Sequence, residues 1–253
     1  MVSASPPAWA DYQAVLFDLD GVITPTAEIH QRAWAELFAP YSYTKDDYLR
    51  YIDGKPRYEG VQAFLASRSI DLPLGSADDP PGNDTVSAMG NAKNEVFTAI
   101  LERDSIAPYP GTLALMAELD GLGIAQAVVS SSKNARVVLQ SAGLGGHFAV
   151  VVDGMTAVEQ GLPGKPDPAM FAYAAQQLSV AVDRSVVIED AVAGVAAGKA
   201  GGFGFTLGVD RGGNRQALLD AGADTVTEDL GLVLLGNRSG QAAPGQSQSD
   251  KAK

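Results

Sequence analysis

The sequence predicts an α/β protein in which a doubly wound parallel sheet forms the core and a small helical cap is inserted into it. Three observations lead to this prediction. Short apolar runs recur along the chain, helical patterns separate them, and one long segment near the N-terminus has helical spacing without a convincing strand. Continuous apolar runs are typical of parallel strands covered on both faces, and their alternation with helices indicates a Rossmann-like sheet.

Five runs are predicted as strands, because each is rich in Val, Ile, Leu or Phe and ends at polar or glycine residues. They are residues 14–20 (AVLFDLD), 125–132 (AQAVVSSS), 148–154 (FAVVVDG), 185–190 (SVVIED) and 204–209 (GFTLGV). The helical patterns between them are TLALMAELDGLG, NARVVLQSAG, DPAMFAYAAQQLSV and AVAGVAAGKAGG. Ligands of such a sheet bind at the carboxyl ends of its strands, so residues there are the first candidates for a site.

The inserted segment is predicted as a helical cap domain over residues 30–103, where apolar residues recur at spacings of three and four. Within it, the loop 76–85 contains two prolines and a glycine and is predicted to separate two cap helices. The core domain is predicted to comprise residues 1–29 and 104–237. Residues 238–253 contain almost no large apolar residue and are predicted as a disordered tail.

The amino-acid composition excludes several classes of protein and of functional site. With 253 residues and 46% hydrophobic content, the chain can bury a substantial core. It has no cysteine, which excludes disulfides, thiolate metal sites and a catalytic cysteine, and which suits the cytoplasm, the predicted location. No signal-peptide pattern and no apolar run of membrane-spanning length is present, so no membrane partner is expected. The sequence leaves the oligomeric state open and is compatible with a monomer.

The net charge of the chain limits the kinds of ligand that it is expected to bind. A net charge of -12 argues against nucleic acid, because phosphate backbones are bound through clustered Lys and Arg. A small phosphate would also be opposed by this overall charge. Its binding would have to depend on local cations, a metal ion and backbone amides.

Polar residues at the predicted strand ends meet that requirement. They are Asp18 and Asp20 after the first strand, Ser130, Ser131, Ser132, Lys133 and Asn134 after the second, Lys165 in the motif GKPDP, and Glu189 and Asp190 after the fourth. Asp18 and Asp20 point the same way, because side chains alternate along an extended segment, and they would repel each other unless a cation holds them. Magnesium prefers oxygen ligands and would relieve this repulsion. The predicted metal ligands are Asp18, Asp20, Glu189 and Asp190.

The spacing of the first two acids also suits two different chemical roles. One carboxylate can attack phosphorus and form an acyl phosphate, while the other transfers a proton to or from the oxygen that leaves or accepts the group. Gly21 permits a turn directly after them and would leave backbone amides free to face the phosphoryl oxygens. Lys165 and the Ser130 hydroxyl would balance the phosphoryl charge.

Four motifs in this order, DLDGVIT with Thr26, SSSKN, GKPDP and IEDAVAG, resemble those of the haloacid dehalogenase superfamily. The chain is most similar to the β-phosphoglucomutase-like branch, over residues 14–210 and including HQRAW in the cap. The resemblance implies Asp18 as the nucleophile and Asp20 as the acid/base, with its backbone carbonyl on magnesium. The phosphate- and substrate-binding residues predicted on this basis are Gly21, Thr26, His30, Arg57, Ser130, Ser131, Ser132, Asn134 and Lys165.

Two of these residues, His30 and Arg57, lie toward the cap, and each has a second interpretation. His30 matches a hinge histidine, but it could be a hydrogen-bonded structural residue. Arg57 matches an arginine that grips a distal phosphate, but it could be an ordinary solvated side chain. The chain also departs from the mutase pattern: Pro25 stands where an aspartate is usual, and Asp53 stands where a lysine precedes the cap glycine.

The resemblance implies an enzyme, a magnesium-dependent phosphotransferase of the β-phosphoglucomutase type that interconverts β-glucose 1-phosphate and glucose 6-phosphate through an aspartyl-phosphate. The alternative is a sugar-phosphate phosphatase, a hydrolase in which water takes the phosphoryl group from the same aspartate. A non-catalytic sugar-phosphate sensor is a third hypothesis. Both enzymes need the same core and differ in how the closed cap excludes water, so the sequence leaves the choice and the sugar open.

Overall fold

Residues 6–104 and 106–235 are described by the structure, which is a computed structural model. The tail predicted at residues 238–253 lies outside these described residues, and its disorder stays a prediction. Within the described part of the chain, no helix combines the length and the apolar character needed to cross a lipid bilayer.

Six parallel strands form one sheet in residues 6–104 and 106–235, in the order β3-β2-β1-β4-β5-β6. They are β1 (Ala14–Phe17), β2 (Ala125–Val129), β3 (Val150–Val152), β4 (Ser185–Glu189), β5 (Phe205–Val209) and β6 (Thr225–Thr227). The doubly wound α/β fold and its five predicted strands are confirmed. Each is shorter than predicted, mainly because polar residues at the carboxyl end leave the sheet. β6 was not predicted, since a three-residue edge strand is too short to form a pattern.

The helices lie between the strands and in the cap. They are α1 (Thr26–Phe38), α2 (Lys45–Asp47), α3 (Arg57–Ser67), α4 (Val86–Arg103), α5 (Pro110–Gly121), α6 (Ala135–Ser141), α7 (Gly154–Gln160), α8 (Ala169–Gln177), α9 (Val192–Ala200) and α10 (Arg215–Asp220). A π-helical turn, Tyr48–Ile52, continues α2. The third predicted strand ends too late because Asp153 caps α7, where its Oδ1 accepts the Thr156 N–H at 2.8 Å.

The position of β1 explains its sequence. This strand lies inside the sheet and is completely buried on both faces. On one face Val15 and Phe17 pack in an apolar cluster with Leu115 of α5, and on the other Leu16 packs with Phe171 of α8. Double burial produces the continuous apolar run, and it fixes the direction in which Asp18 emerges from the sheet.

The cap helices enclose a third apolar cluster, and α1 takes part in both domains. Ile29 and Ala33 pack in the core, whereas Trp34 and Phe38 pack in the cap. Since α1 begins at Thr26, the predicted boundary between residues 29 and 30 falls inside a continuous helix. The predicted loop between the two cap helices separates α3 from α4. The exact division into domains stays a prediction.

Candidate active site

The loop after β1 carries the two aspartates and makes a tight turn. Its tightness depends on Gly21, whose φ is +90° and whose added Cβ would lie 1.8 Å from Asp190 Oδ2. The Gly21 N–H donates to Thr24 O at 2.7 Å. This amide is therefore not free to face a phosphoryl group, contrary to the expectation from sequence. Gly21 instead allows the Asp190 carboxylate to lie directly against the loop.

Lys165 links the ends of three strands. Its Nζ lies 2.5 Å from Asp18 Oδ1, 2.7 Å from Glu189 Oε1 and 3.0 Å from Val129 O, so all three of its N–H donors have an acceptor. The side chain is only 1% exposed. Burial opposes its charge, but Asp18 and Glu189 outweigh burial and raise the pKa of Lys165 above its ordinary value. Lys165 is therefore held as an ammonium group at the centre of the site.

Three acids form a group that suits a divalent cation. One carboxylate oxygen each from Asp18, Glu189 and Asp190 lies within 4.8 Å of the others. Burial, followed by the neighbouring carboxylates, raises the pKa values of Asp18 and Asp190 well above their ordinary range, although Lys165 lowers that of Asp18. Oxygen donors with this excess of negative charge fit a hard cation. The carboxylate of Asp20, a predicted ligand, is not part of this group.

Asp20 instead faces partners at the base of the cap. Thr26 Oγ1 donates to its Oδ1, and Ser130 Oγ donates to its Oδ2 at 3.4 Å. His30 Nε2 lies 3.4 Å from Oδ1 but is not aligned for a hydrogen bond. Burial raises the pKa of Asp20, whereas His30 and Thr26 lower it to about 2, which is the net effect. Asp20 is therefore a carboxylate at neutral pH and can accept a proton.

His30 has a partner in the cap that the sequence did not reveal. Lys93 Nζ contacts His30 Nδ1, and the imidazole stacks on Phe97 with the ring centroids 4.1 Å apart. Burial lowers the pKa values of both His30 and Lys93. If Lys93 donates to Nδ1, the imidazole proton lies on Nε2, toward Asp20. Lys93 could have been found from its spacing, because it lies four residues from the buried residues Met89 and Phe97.

The serine motif after β2 makes hydrogen bonds both within the core and to the cap. Ser130 is completely buried and its Oγ accepts the Ser132 N–H at 3.1 Å. Ser131 Oγ donates to the cap carbonyl of Gly54 at 2.9 Å. Asn134 Nδ2 donates to Asn94 Oδ1 at 2.6 Å. Asn134 therefore contacts the cap, and its predicted contact with substrate stays a prediction.

Arg57 lies at the first position of α3 and faces the core. Its Nη2 donates to Asn94 Oδ1 at 2.7 Å, so Arg57 shares that oxygen with Asn134. Arg57 is therefore not an ordinary solvated side chain, because it is hydrogen-bonded to Asn94 and also lines the cavity between cap and core. Lys133 lines the same cavity and lies over the Tyr58 ring, with Nζ 5.2 Å from the centroid.

The cavity between the two domains has a volume of about 80 Å³ and is lined by groups of both charges. Its acidic lining residues are Asp18, Asp20, Asp53, Glu189 and Asp190, and its basic ones are Lys55, Arg57, Lys93 and Lys133. The volume is well below the roughly 300 Å³ at which small-molecule pockets begin. The described conformation is therefore closed, and the cap must move to admit a sugar phosphate.

Asp53 stands out among the lining residues. It belongs to the cap and yet faces the acidic end of the cavity. Burial raises its pKa to about 7, and the carboxylates of Glu189 and Asp20 add to that effect while Tyr48 and Lys165 oppose it.

Comparisons with known proteins cover both domains. The family model of haloacid dehalogenase-like hydrolases matches residues 12–202. The β-phosphoglucomutase of Mycobacterium bovis is 41% identical over 239 residues, which cover 88% of this chain and 91% of that protein. The β-phosphoglucomutase of Bacillus subtilis is 34% identical over 229 residues, which cover 88% and 93%.

A solved structure agrees with these relatives. The crystal structure of a β-phosphoglucomutase from Clostridium difficile has a TM-score of 0.73 and 25% identity, and the match covers 90% of this chain and 96% of that one. The likeness in sequence and in structure therefore extends over the core motifs and the cap alike.

Proposed function

Because this chain belongs to the haloacid dehalogenase-like hydrolase family, we propose that it is a magnesium-dependent β-phosphoglucomutase that works through a phosphoryl group on Asp18. The family and the relatives make it an enzyme of the phosphotransferase or phosphatase type. The observation that carries the mutase proposal is that one cavity is lined by Asp18, which Lys165 contacts, and by the cations Arg57 and Lys133. Asp18 would take one phosphoryl group and the two cations would bind the other, as a substrate with two phosphates requires.

The cation would be held by Asp18, Glu189 and Asp190, whose donors fit a divalent ion. When bound, such an ion neutralises phosphoryl oxygens and makes phosphorus more open to attack. Enzymes of this family generally use a divalent metal, and the choice of magnesium rests on the oxygen-only donor set.

Asp18 is the proposed nucleophile. Lys165 holds Oδ1 and fixes the orientation of the carboxylate, which leaves Oδ2 for attack on phosphorus. The bond from phosphorus to the sugar oxygen breaks as the acyl phosphate forms. Lys165 also stays close to the phosphoryl oxygens, where its charge stabilises the transition state.

Asp20 is the proposed acid/base. The Asp20 carboxylate takes the proton from the accepting hydroxyl as that hydroxyl attacks the phosphoryl group, and in the reverse direction it returns the same proton to the leaving sugar oxygen. Thr26 donates a hydrogen bond to its Oδ1, His30 Nε2 lies 3.4 Å from the same oxygen, and Lys93 contacts His30 from the cap. Because that chain of contacts crosses between the domains, we infer that closure of the cap places Asp20 for proton transfer.

Arg57 is the proposed anchor for the distal phosphate. A guanidinium can make two charge-assisted hydrogen bonds to a phosphate, and binding there would favour closure of the cap. Asn94 holds Arg57 in position, and Ser131, Ser132 and Lys133 line the cavity opposite it.

The alternative activity is hydrolysis of a sugar phosphate through the same Asp18. The family description favours it in part, and so does Pro25, which offers no polar side chain at the start of α1. In that case water, with Asp20 as base, would take the phosphoryl group from Asp18. We also propose that the protein is located in the cytoplasm and is a monomer.

Product partition distinguishes the two activities. The pure protein is incubated with magnesium, β-glucose 1-phosphate and catalytic glucose 1,6-bisphosphate, and glucose 6-phosphate and free phosphate are followed together. We expect glucose 6-phosphate to form much faster than free phosphate. The opposite ratio would make the protein a phosphatase, and a D18N preparation shows how much of either product comes from contaminants.

A further inference from the structure

Two residues that were predicted to bind substrate share one acceptor in the cap, the side-chain oxygen of Asn94. Arg57 Nη2 donates to Asn94 Oδ1 at 2.7 Å, and Asn134 Nδ2 donates to the same oxygen at 2.6 Å. A carbonyl oxygen has two lone pairs, so these two bonds use its full capacity. Because a guanidinium only donates, the atom that faces Arg57 must be the amide oxygen, which fixes the orientation of the Asn94 side chain.

The packing of α3 on α4 directs Arg57 at this oxygen. Gly90 lies four residues before Asn94 and therefore on the same face of α4. A Cβ added to Gly90 would lie 3.1 Å from Arg57 Cδ and 2.7 Å from Tyr58 Cδ1, so both side chains lie directly on the backbone of α4. Tyr58 is fixed further, because its hydroxyl donates to Asn91 Oδ1 at 2.9 Å. The guanidinium is thereby held beside the helical turn that carries Asn94.

Asn134 reaches the same oxygen from the core. It lies directly before α6, and its backbone N–H donates to Ser132 Oγ at 3.1 Å. The position of Asn134 is thus set by a core loop, whereas Asn94 belongs to a cap helix. The hydrogen bond between the two amides joins the domains, and it forms only while the cap lies on the core.

Several positive charges lie near this pair of amides. Arg57, Lys93 and Lys133 all line the catalytic cavity. Burial, followed by the charge of Arg57, lowers the pKa values of both lysines. An amide oxygen accepts hydrogen bonds from such a group but brings no negative charge. A phosphate oxygen would do both, and its hydrogen bonds to a guanidinium are about twice as strong as those of a neutral acceptor.

We propose that Asn94 is an internal competitor of the distal phosphate, so that its amide oxygen takes the place of a phosphate oxygen between Arg57 and Asn134 until a ligand displaces it. The inference rests on the distal phosphate site of the proposed function. A doubly charged phosphate wins this exchange, whereas a neutral hydroxyl offers Arg57 nothing that Asn94 does not already supply. Asn94 is then a specificity-determining residue that selects ligands with a dianionic distal group.

Two substitutions of Asn94 test the competition, because they should act in opposite directions. N94A removes the competing oxygen, and N94D replaces it with a carboxylate that pairs permanently with Arg57. Each is made in a D18N protein, so that the probe, glucose 1,6-bisphosphate, is bound but not turned over. Calorimetry in the presence of MgCl2 gives its Kd. N83A and N83D are the matched controls, because Asn83 is exposed in the cap loop between α3 and α4.

We expect N94A to bind the bisphosphate about two- to tenfold more tightly than the D18N parent, which is the net contribution of one hydrogen bond. N94D should bind it about 10- to 100-fold more weakly, as expected when a charged acceptor occupies the guanidinium. The gain in N94A should be lost when R57A is added, since the competition is for Arg57. Circular dichroism checks that N94A is folded, and N94S, which also removes the amide oxygen, provides the same comparison if it is not.

Two results would overturn the proposal. If N94A binds the bisphosphate no more tightly than the parent while R57A weakens binding, Asn94 only positions Arg57. If N94D binds as tightly as the parent, a charged competitor at this position has no effect. Failure of the distal phosphate site itself would be seen separately, because R57A alone would then leave the affinity for the bisphosphate unchanged, and both proposals would fall.

Discussion

The two ends of the catalytic cavity are built differently. At the core end, Glu189 is buried at the end of β4 and Lys165 is buried in the loop before α8, with an acceptor for each of its N–H groups. On the cap side, Arg57 is held through one hydrogen bond to Asn94, and Lys133 of the loop after β2 lies over the Tyr58 ring of the cap. The proposed nucleophile is therefore fixed by the sheet, whereas the proposed phosphate anchor is held by fewer contacts, and those contacts lie in the cap.

The largest effect is expected from D18N at the core end. An amide is a poor nucleophile toward phosphorus, so both mutase and phosphatase turnover should fall by on the order of 10⁴-fold or more. Turnover is measured with a sugar phosphate and with a small artificial phosphomonoester, and D71N serves as the matched control. Residual activity well above the contaminant level would show that the core end does not provide the nucleophile.

D20N should have the next largest effect. Loss of the acid/base should slow turnover by about 10²- to 10⁴-fold. Binding of Mg²⁺ should remain, because the Asp20 carboxylate lies outside the group formed by Asp18, Glu189 and Asp190. Steady-state rates and calorimetry with Mg²⁺ check the two statements. A nearly normal rate, or a lost metal site, would each contradict the role assigned to Asp20.

R57A tests the cap end and should have the smallest effect on chemistry. Phosphoryl exchange between sugar phosphates should fall about 10- to 100-fold, the value of a charge-assisted contact, while hydrolysis of a small phosphomonoester should change little. Both rates are measured on one preparation, with R50A as a control at an exposed cap arginine. Equal losses in both reactions would mean that Arg57 does not bind a distal phosphate of the sugar substrate.

The core could be predicted from sequence because its strands are doubly buried and its acids stand at strand ends. Backbone geometry then brings Asp18, Glu189 and Lys165 together without any further information. The cap gives weaker signals. Lys93 is separated from His30 by 63 residues, and only the packing of α4 on α1 joins them. Helical spacing indicates a buried face but not the side chain that lies opposite it.

Two further differences have the same origin. The contact of Asn134 with Asn94 was not predicted, because it depends on where the cap lies on the core. The sequence marked Asp53 as a departure from the mutase pattern, and its place in the lining of the cavity became visible only in the structure. Contacts between domains are set by a rigid-body arrangement, and local sequence patterns carry little information about that.

The small volume of the closed cavity limits how fast a mutase of this construction can work. A space of about 80 Å³ does not allow a sugar bisphosphate to turn round. The intermediate must therefore be released from the closed state between the two transfers, and each catalytic cycle contains two closures. The turnover number cannot exceed half the frequency at which the cap closes, on the microsecond-to-millisecond timescale of domain motion. An enzyme that already worked at this limit could be made faster only by a faster hinge, whatever its nucleophile.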